Sequence, residues 1–446
     1  MLEQGTAFAG CLAIPMPEIE GILRDGWRGV VEMLGDILNG FAAHQITPES
    51  EQRLERGLES CLRSLGRDLV ERLFSLLEPA DVEELPGVVV HRGRNHRRLP
   101  AKQPRERIVT RFGVIALSSA RYRRGRAGKV ISPLEVALGV VAGFTPGAAD
   151  FAGRQTALPG ASQQRVVEAI RDRFGARIGH EKLRRLTAFL GESLESHREP
   201  SQREQIAEWI AQAREQRKTP VLSVSRDGVS LGIQPFGFFE MAGIATLSVM
   251  CEGRRLGTVY IACEPEENQQ ALSDRLTSLL KATLRDCGRQ LPTVVYVTDA
   301  GKIETAYWKN TLRRLRVDGR RIQVTRVVDY YHAAQRLTTL ADALAIPRQR
   351  RAEWSKSARK LLLEPGGWGR VMRSLAKMRQ LHGYLKSKAD DAHKAERYLR
   401  RYRRFMNYAE LKANHLPQGS GVVESACKQI VTERMKLSGM RWKNGA

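Results

Sequence analysis

Three aspartates close β-like runs in the second half of the sequence: Ser-Arg-Asp227-Gly after VLSVS, Thr-Asp299-Ala-Gly after PTVVYVT, and Val-Val-Asp329-Tyr after RIQVTRVV. In open α/β sheets, functional sites gather outside the carboxyl ends of the strands. A single aspartate there ordinarily bonds local N–H groups as a cap or turn residue. Three on one sheet are harder to dismiss, because parallel strands would bring like charges to one edge, where they cannot all stay ionised unpartnered. A divalent cation relieves that repulsion. Mg2+, or Mn2+ in its place, takes one or two carboxylates and keeps its waters. Two such ions ~3.5–4 Å apart stabilise both the attacking and the leaving oxygen of an in-line phosphoryl displacement. A fourth acid, Glu424, follows Gly419-Ser420-Gly421 on the first turn of a predicted helix. The helix dipole alone favours a glutamate there. Its neighbours Val422, Val423, Ala426 and Ile430 are apolar, however, so this end of the helix packs and its acid could point across the sheet edge. His332, three residues after Asp329, reads either as part of the site or as a helix-capping residue. The residues alone leave the four acids unranked.

The elements that must position these groups alternate strand and helix over 221–332, which predicts an α/β core. A long, basic, helical stretch at about 348–412 follows, interrupted at Pro365-Gly366-Gly367, and a last helix runs to about Leu437. Upstream, Ile19, Ile22, Leu23, Val30, Val31, Leu34, Ile37 and Leu38 recur at helical spacing. So do Leu54, Leu58, Leu62, Leu65, Leu69, Leu73 and Leu76. Thr47 and Pro48 followed by Glu49 and Glu51 mark the start of that second helix. These leucine faces need burial, against the same chain or a second copy. Residues 86–122 read as a small basic antiparallel sheet. Residues 161–191 read as helix, turn, helix, with Arg184 and Arg185 on the second helix in the manner of a major-groove reader. The predicted domains are an acidic helical unit at 1–85, a basic β segment with the helix-turn-helix-like region at 86–215, and the α/β domain at 216–446.

A chain of 446 residues has room for about three domains of ~150 residues. Its 42% hydrophobic content excludes wholesale disorder. The formal net charge of +24 points to a polyanion, most simply nucleic acid. Residues 92–126 carry a net +11 and residues 348–404 a net +13, whereas residues 1–90 carry −9. Two basic surfaces are therefore expected, the second including Arg397, Arg400, Arg401, Arg403 and Arg404, together with an acidic end that avoids DNA. The first residues show no signal peptide, and no apolar run approaches the ~18 residues of a membrane span. The six cysteines, Cys11, Cys61, Cys251, Cys263, Cys287 and Cys427, form no C-x-x-C pair. That speaks against a zinc ribbon and for a reducing cytoplasm.

The order Asp227, Asp299, Asp329-x-x-His332, helical insertion, then Gly419-Ser-Gly-Val-Val-Glu424-Ser-Ala-Cys-Lys resembles the bacterial insertion-sequence DDE transposases of the ISKra type. The core of that family is similar to that of the Mutator-like transposases. The tail from Glu433-Arg434-Met435-Lys436 to Ser438-Gly439-Met440-Arg441-Trp442 and the run ISPLEVALGV at 131–140 extend the resemblance over about residues 106–446. It implies an RNase H-like catalytic core with an all-α insertion. In that core Asp227, Asp299 and Glu424 form the catalytic, metal-holding triad, and two Mg2+ (or Mn2+) ions are expected. Asp329 and His332 match the (Cys/Asp)-x-x-His motif that accompanies the triad. The implied activity is DNA cleavage and strand transfer at the ends of an insertion sequence, in the bacterial nucleoid. The implied partners are double-stranded transposon ends and target DNA, with a homodimer or larger assembly to hold two ends. The chain departs from the family in lacking N-terminal cysteine pairs. It also stops at Asn444-Gly445-Ala446, where relatives continue into further helix, which leaves loss of activity by truncation as an alternative. Two other readings stay open: a hydrolytic nuclease that cuts without joining, and a non-catalytic DNA-binding remnant.

Overall fold

In the computed structural model of the protein, residues 16–42, 47–102, 106–234, 237–438, 440 and 442–443 are described. Cys11, Gly439, Arg441 and the Asn444-Gly445-Ala446 end lie outside the described residues, as do the side chains of Ile19 and Ile22. The chain divides into two compact units, Met1–Glu195 and Ser196–Ala446.

The first unit opens with α1 (Met16–Ala42) and α2 (Pro48–Leu76). Thr47 caps α2 reciprocally with Ser50: the Thr47 hydroxyl accepts from the Ser50 N–H at 3.2 Å, and the Ser50 hydroxyl accepts from the Thr47 N–H at 2.8 Å. Pro48 at the first helical position sacrifices no bond, since that N–H would be unpaired anyway. The apolar faces of these helices are partly covered within the first unit, with none of the leucines from Leu54 to Leu76 fully buried and Leu76 exposed. Ile37 lies over Gly57, and Val70, Phe74 and Leu77 pack on Ile108, Ile115, Leu117 and Leu134. Leu23, Trp27, Val31, Leu38 and Leu62 remain exposed.

The basic segment forms two small sheets where the sequence suggested one. β1 (Val88–His91), β2 (Arg94–Arg98), β5 (Tyr122–Arg123) and β6 (Val130–Ile131) make an antiparallel four-stranded sheet, and β3 (Glu106–Thr110) and β4 (Gly113–Leu117) make a separate two-stranded one, with Val109 of β3 also bridging to Phe144. After α3 (Pro133–Ala137) come α4 (Pro146–Ala157), α5 (Gln163–Phe174) and α6 (His180–Glu215). Gly175 ends α5 in the left-handed conformation at φ 67°, as a helix C-terminal glycine does. Val166, Ile170 and Phe174 of α5 meet Leu183 and Leu186 of α6 over Ala148 and Ala152 of α4.

The second unit is a mixed sheet between helices. β7 (Val221–Gln234), β8 (Phe238–Cys251) and β9 (Arg254–Glu266) form an antiparallel meander, and Glu252 and Gly253, both at positive φ, make the tight turn into β9. α7 (Gln270–Asp286) leads to β10 (Thr293–Thr298). α8 (Lys302–Asn310) and the small hairpin β11 (Arg316–Val317) with β12 (Arg320–Arg321) lead to β13 (Val324–Val328). The strand order is β13-β10-β7-β8-β9, with β10 and β13 parallel to β7. Parallel strands need crossover helices, and the helical patterns between them in the sequence supply these. Leu222, Val224, Val294 and Tyr296 face α7 and the end of α6, while Val221, Val295, Val297 and Val327 face the other way, onto α9 (Tyr330–Ala343).

The stretch predicted as a helical insertion is α10 (Arg348–Leu362), α11 (Gly367–His382), α12 (Ala389–Tyr402) and α13 (Tyr408–Ala413). It is no separate lobe. Leu362, Val371, Leu375, Leu399 and Tyr402 share one core with Leu337 and Leu340 of α9 and Val295, Val297 and Val327 of the sheet. The chain ends in α14 (Gly421–Ala426), a π-helical turn Cys427–Thr432, α15 (Glu433–Met435) and β14 (Trp442–Lys443), which pairs in parallel with β7.

One strand boundary differs from expectation. β7 does not end at Asp227. It runs on with β8 as far as Ile233↔Phe238, because Val229 and Leu231 still find cover, under Val423, Ala426, Cys427 and Val431. No helix of the described residues is long and apolar enough to cross a membrane, and the five described cysteines are free.

A shared core predicts shared unfolding. Leu399→Ala, far from the sheet in sequence, should cost about 2–5 kcal/mol and lower the same transition that Val297→Ala lowers. Denaturant unfolding followed by circular dichroism checks this; a sheet transition unmoved by Leu399→Ala would contradict it.

Candidate active site

Strand register makes the first part of the site. β7 and β10 pair in parallel up to Val224↔Tyr296, and β10 and β13 up to Thr298↔Val328. Continuing both registers places Asp227, Asp299 and Asp329 in one row across three neighbouring strands. Alternation along each strand puts them on the face of Val221, Val295, Val297 and Val327. The main-chain N–H of Asp329 donates to the Thr298 carbonyl at 2.9 Å, which extends the ladder to that row.

Each aspartate is held differently. Asp227 accepts from the Gly228 N–H at 2.7 Å. Its carboxyl is raised above the usual aspartate range by burial first and by the charges of Asp299 and Glu424, against the Gly228 N–H and a hydrogen bond from Cys427. The Cys427 thiol is itself pushed up, by burial and then by the Asp227 charge. Asp299 accepts from the Gly301 N–H at 2.9 Å, closing a turn through Ala300, which sits at φ 64°. A non-glycine residue there is strained, and the strain is held by α12. The Tyr398 hydroxyl donates to the Asp299 carbonyl at 2.6 Å, and the Tyr402 hydroxyl donates to the Ala300 carbonyl at 3.1 Å. The Tyr408 hydroxyl likewise donates to the Val328 carbonyl at 2.9 Å, just before Asp329.

Asp329 is fully buried. One oxygen caps α9 by accepting from the His332 N–H at 3.0 Å, and the other accepts from the Ser420 hydroxyl at 2.8 Å and from the Ser420 N–H. The Gly-Ser-Gly turn is thereby pinned to the end of β13. Glu424, one turn on, is carried to His332, whose Nε2 lies 3.2 Å from its Oε1. Among the described residues, Asp329, His332 and Glu424 form the group whose ligand atoms all lie within 4.8 Å of one another. The expected triad Asp227, Asp299 and Glu424 does not close to that spacing. The physical reason is the anchor at Ser420, which seats the helix start over β13, while Glu424 remains within electrostatic reach of Asp227.

Whether these residues suit a divalent cation turns on their unmet charge. Both Asp329 oxygens are already engaged by donors, so this residue acts as an anchor. Asp227, with like charges beside it, and Glu304 are the carboxylates in want of a counter-charge. Glu304, in the first turn of α8, is only 8% exposed, and burial raises its carboxyl, with the charges of Asp299 and Asp227 adding to the rise. On the opposite face of the sheet, buried Arg226 donates to Ser273 Oγ at 2.9 Å and Gln269 Oε1 at 2.7 Å and lies over the Tyr307 ring, with no carboxylate paired to it among the described residues. The donor set, hard carboxylate oxygens with one imidazole nearby, fits Mg2+ or Mn2+.

The arginines singled out in the sequence lie elsewhere. Arg184 and Arg185 are exposed on α6 in the first unit, and both approach Glu181. Arg397, Arg400, Arg401, Arg403 and Arg404 are exposed on α12 and the turn after it. Arg400 pairs with Glu396 at 2.7 Å, whereas Arg401, Arg403 and Arg404 lie over Tyr402, Trp368 and Phe405. Sequence reasoning missed Glu304, Ser420 and the three tyrosines. An acid five residues after Asp299 was a visible signal; a hydroxyl reaching a carbonyl about a hundred residues away leaves none. Compared with known families and curated proteins, the chain matches no family model and no curated sequence.

The Asp329 anchor is testable without chemistry. Ser420→Ala removes one donor from a buried carboxylate and should cost about 1–3 kcal/mol in denaturant unfolding. Ser420→Thr, which keeps a hydroxyl, should recover much of the loss.

Proposed function

We propose that the second unit is an RNase H-like core and that the protein is a DDE transposase, cutting and joining DNA at the ends of an insertion sequence. The observation that carries this reading is the register that sets Asp227, within β7, beside Asp299 at the end of parallel β10, with Glu424 within electrostatic reach of Asp227. The order of three antiparallel strands flanked by two parallel ones supports the same core. The resemblance of the Gly419-to-Glu424 stretch supports the transposase over other users of such a core.

On this reading Asp227, Asp299 and Glu424 hold the cation. Bound there, Mg2+ or Mn2+ would lower the pKa of water and offset charge on the attacking and leaving oxygens. His332 orients Glu424 through its Nε2. Tyr398 and Tyr402 keep the Asp299 turn in place as DNA enters. Water serves as the first nucleophile and a freed 3′-hydroxyl as the second. The arginines of α12, together with the basic β segment, Arg184 and Arg185, bind phosphates of the transposon ends and target in the bacterial nucleoid. The exposed Leu23, Trp27, Val31 and Leu38 of α1 are the surface on which a homodimer or larger assembly would form. The rival readings differ in outcome: a nuclease yields cut but unjoined DNA, and a remnant binds without cutting.

Asp227→Asn and Glu424→Gln should each abolish cleavage and strand transfer of a labelled duplex with Mg2+ while leaving duplex binding intact, since losing an acid does not weaken phosphate attraction. Binding without cleavage by the unaltered protein would favour the remnant. Reversing Arg397, Arg401 and Arg404 to Glu should flatten the dependence of log affinity on log salt by roughly 0.9 for each phosphate that is no longer neutralised. An unchanged slope would place those arginines off the DNA.

A further inference from the structure

Glu304 is an unexplained charge. It is only 8% exposed, its carboxylate accepts from its own main-chain N–H, and no side chain of the described residues makes a short ion pair with it, although Asp299 and Asp227 crowd it with like charge. A largely buried carboxylate crowded by two others is costly, and a cation shared among them relieves the repulsion. Its direction is defined by Gly301. A Cβ added to Gly301 would run into Glu304 Oε2 while standing 3.4 Å from Asp299 Oδ1, so the two carboxylates approach the same small space from α8 and from the end of β10. That space exists because residue 301 has no side chain. Its φ is an ordinary −54°, so the backbone does not require glycine there. The nearby cation, Arg226, lies over the Tyr307 ring of the same helix and its charge favours the ionised Glu304 carboxyl, but its donors go to Ser273 and Gln269 and it makes no short ion pair with Glu304.

We propose that Glu304 is a further ligand of the divalent cation, reaching it from α8 beside Asp299. This rests on the metal-dependent reading above and adds to it an acid outside the expected triad. A ligand from the first turn of α8 would explain why a buried carboxylate is tolerated next to two others, and why glycine stands at 301. It also puts a further acid on the Asp227–Asp299 side of the row, opposite the side from which Glu424 acts on Asp227.

The test uses Mn2+ as the probe, with the full chain and no DNA. Calorimetric titration should show Glu304→Gln weakening Mn2+ binding by at least about tenfold. Gly301→Ala keeps every acid but displaces the Glu304 carboxylate, and should weaken binding in the same direction. Thermal unfolding gives a second readout. Without metal, Glu304→Gln should melt higher than the unaltered chain, because a like charge is gone, and its melting temperature should rise less when Mn2+ is added. If both variants bind Mn2+ as the unaltered chain does while Asp299→Asn loses it, Glu304 is no ligand and the metal-site reading survives. If Asp299→Asn also binds normally, or the unaltered chain binds no Mn2+, both readings fall. Should Glu304→Gln not fold, Gly301→Ala decides the matter alone.

Discussion

A carboxylate sealed from water must find donors in the protein, and the second unit is organised around the donors that Asp329 finds. One lies at the start of α9 and two at Ser420, 91 residues further along the chain. The interaction joins three things that would otherwise be independent: the end of β13, the first turn of α9, and the turn from which the last helix departs. The position of His332 follows from the first contact and that of Glu424 from the second, so their mutual approach is a consequence of one buried charge. An apolar residue at 329 could fill the space but would fix none of these directions.

The charges around the row are arranged in layers. Asp227, Asp299 and Asp329 belong to one face of the sheet, and Arg226 and Arg326 to the other. Arg326 is caged by Trp308, Tyr402 and Phe405 and donates to Thr305 Oγ1 at 2.9 Å. Burial lowers its pKa, and rings offering their negative faces help keep it charged. Neither arginine forms a short ion pair among the described residues; the carboxyl that Arg226 favours is Glu304. The cage also ties α12 to β13, which is why the helices of 348–412 cannot be described apart from the sheet.

Much of this architecture was legible in the residues. The strand runs before Asp227, Asp299 and Asp329, the helices between them and the start at Thr47 and Pro48 all rest on local chemistry, which sequence displays. The continuation of β7 past Asp227 was not legible, because Val229 and Leu231 look like the start of a loop until Val423 and Val431 are known to cover them. Asp329 was placed among four acids that sequence could not rank. Its burial and its partner Ser420 separate it from the others, and both are facts about the folded state. The helices of 348–412 were visible as a basic run, but their inward tyrosines were hidden by the charge around them, since arginine and tyrosine alternate on α12 in a way that composition reads only as basic.

The long reach of these contacts has a bearing on the order in which the protein takes shape. Tyr398 meets Asp299 across 99 residues, Tyr402 meets Ala300 across 102, and His332 meets Glu424 across 92. The β7–β8–β9 meander needs only short loops and can form early, whereas contacts at such separation await loop closure and come late. Until Ser420 docks, Asp329 must stay wet, and α9 and the end of β13 cannot seal against α13 without stranding a charge. The acid row is therefore a late feature of folding: its geometry is reached only as the Ser420 turn closes onto β13, and a half-folded chain holds the same acids without their alignment.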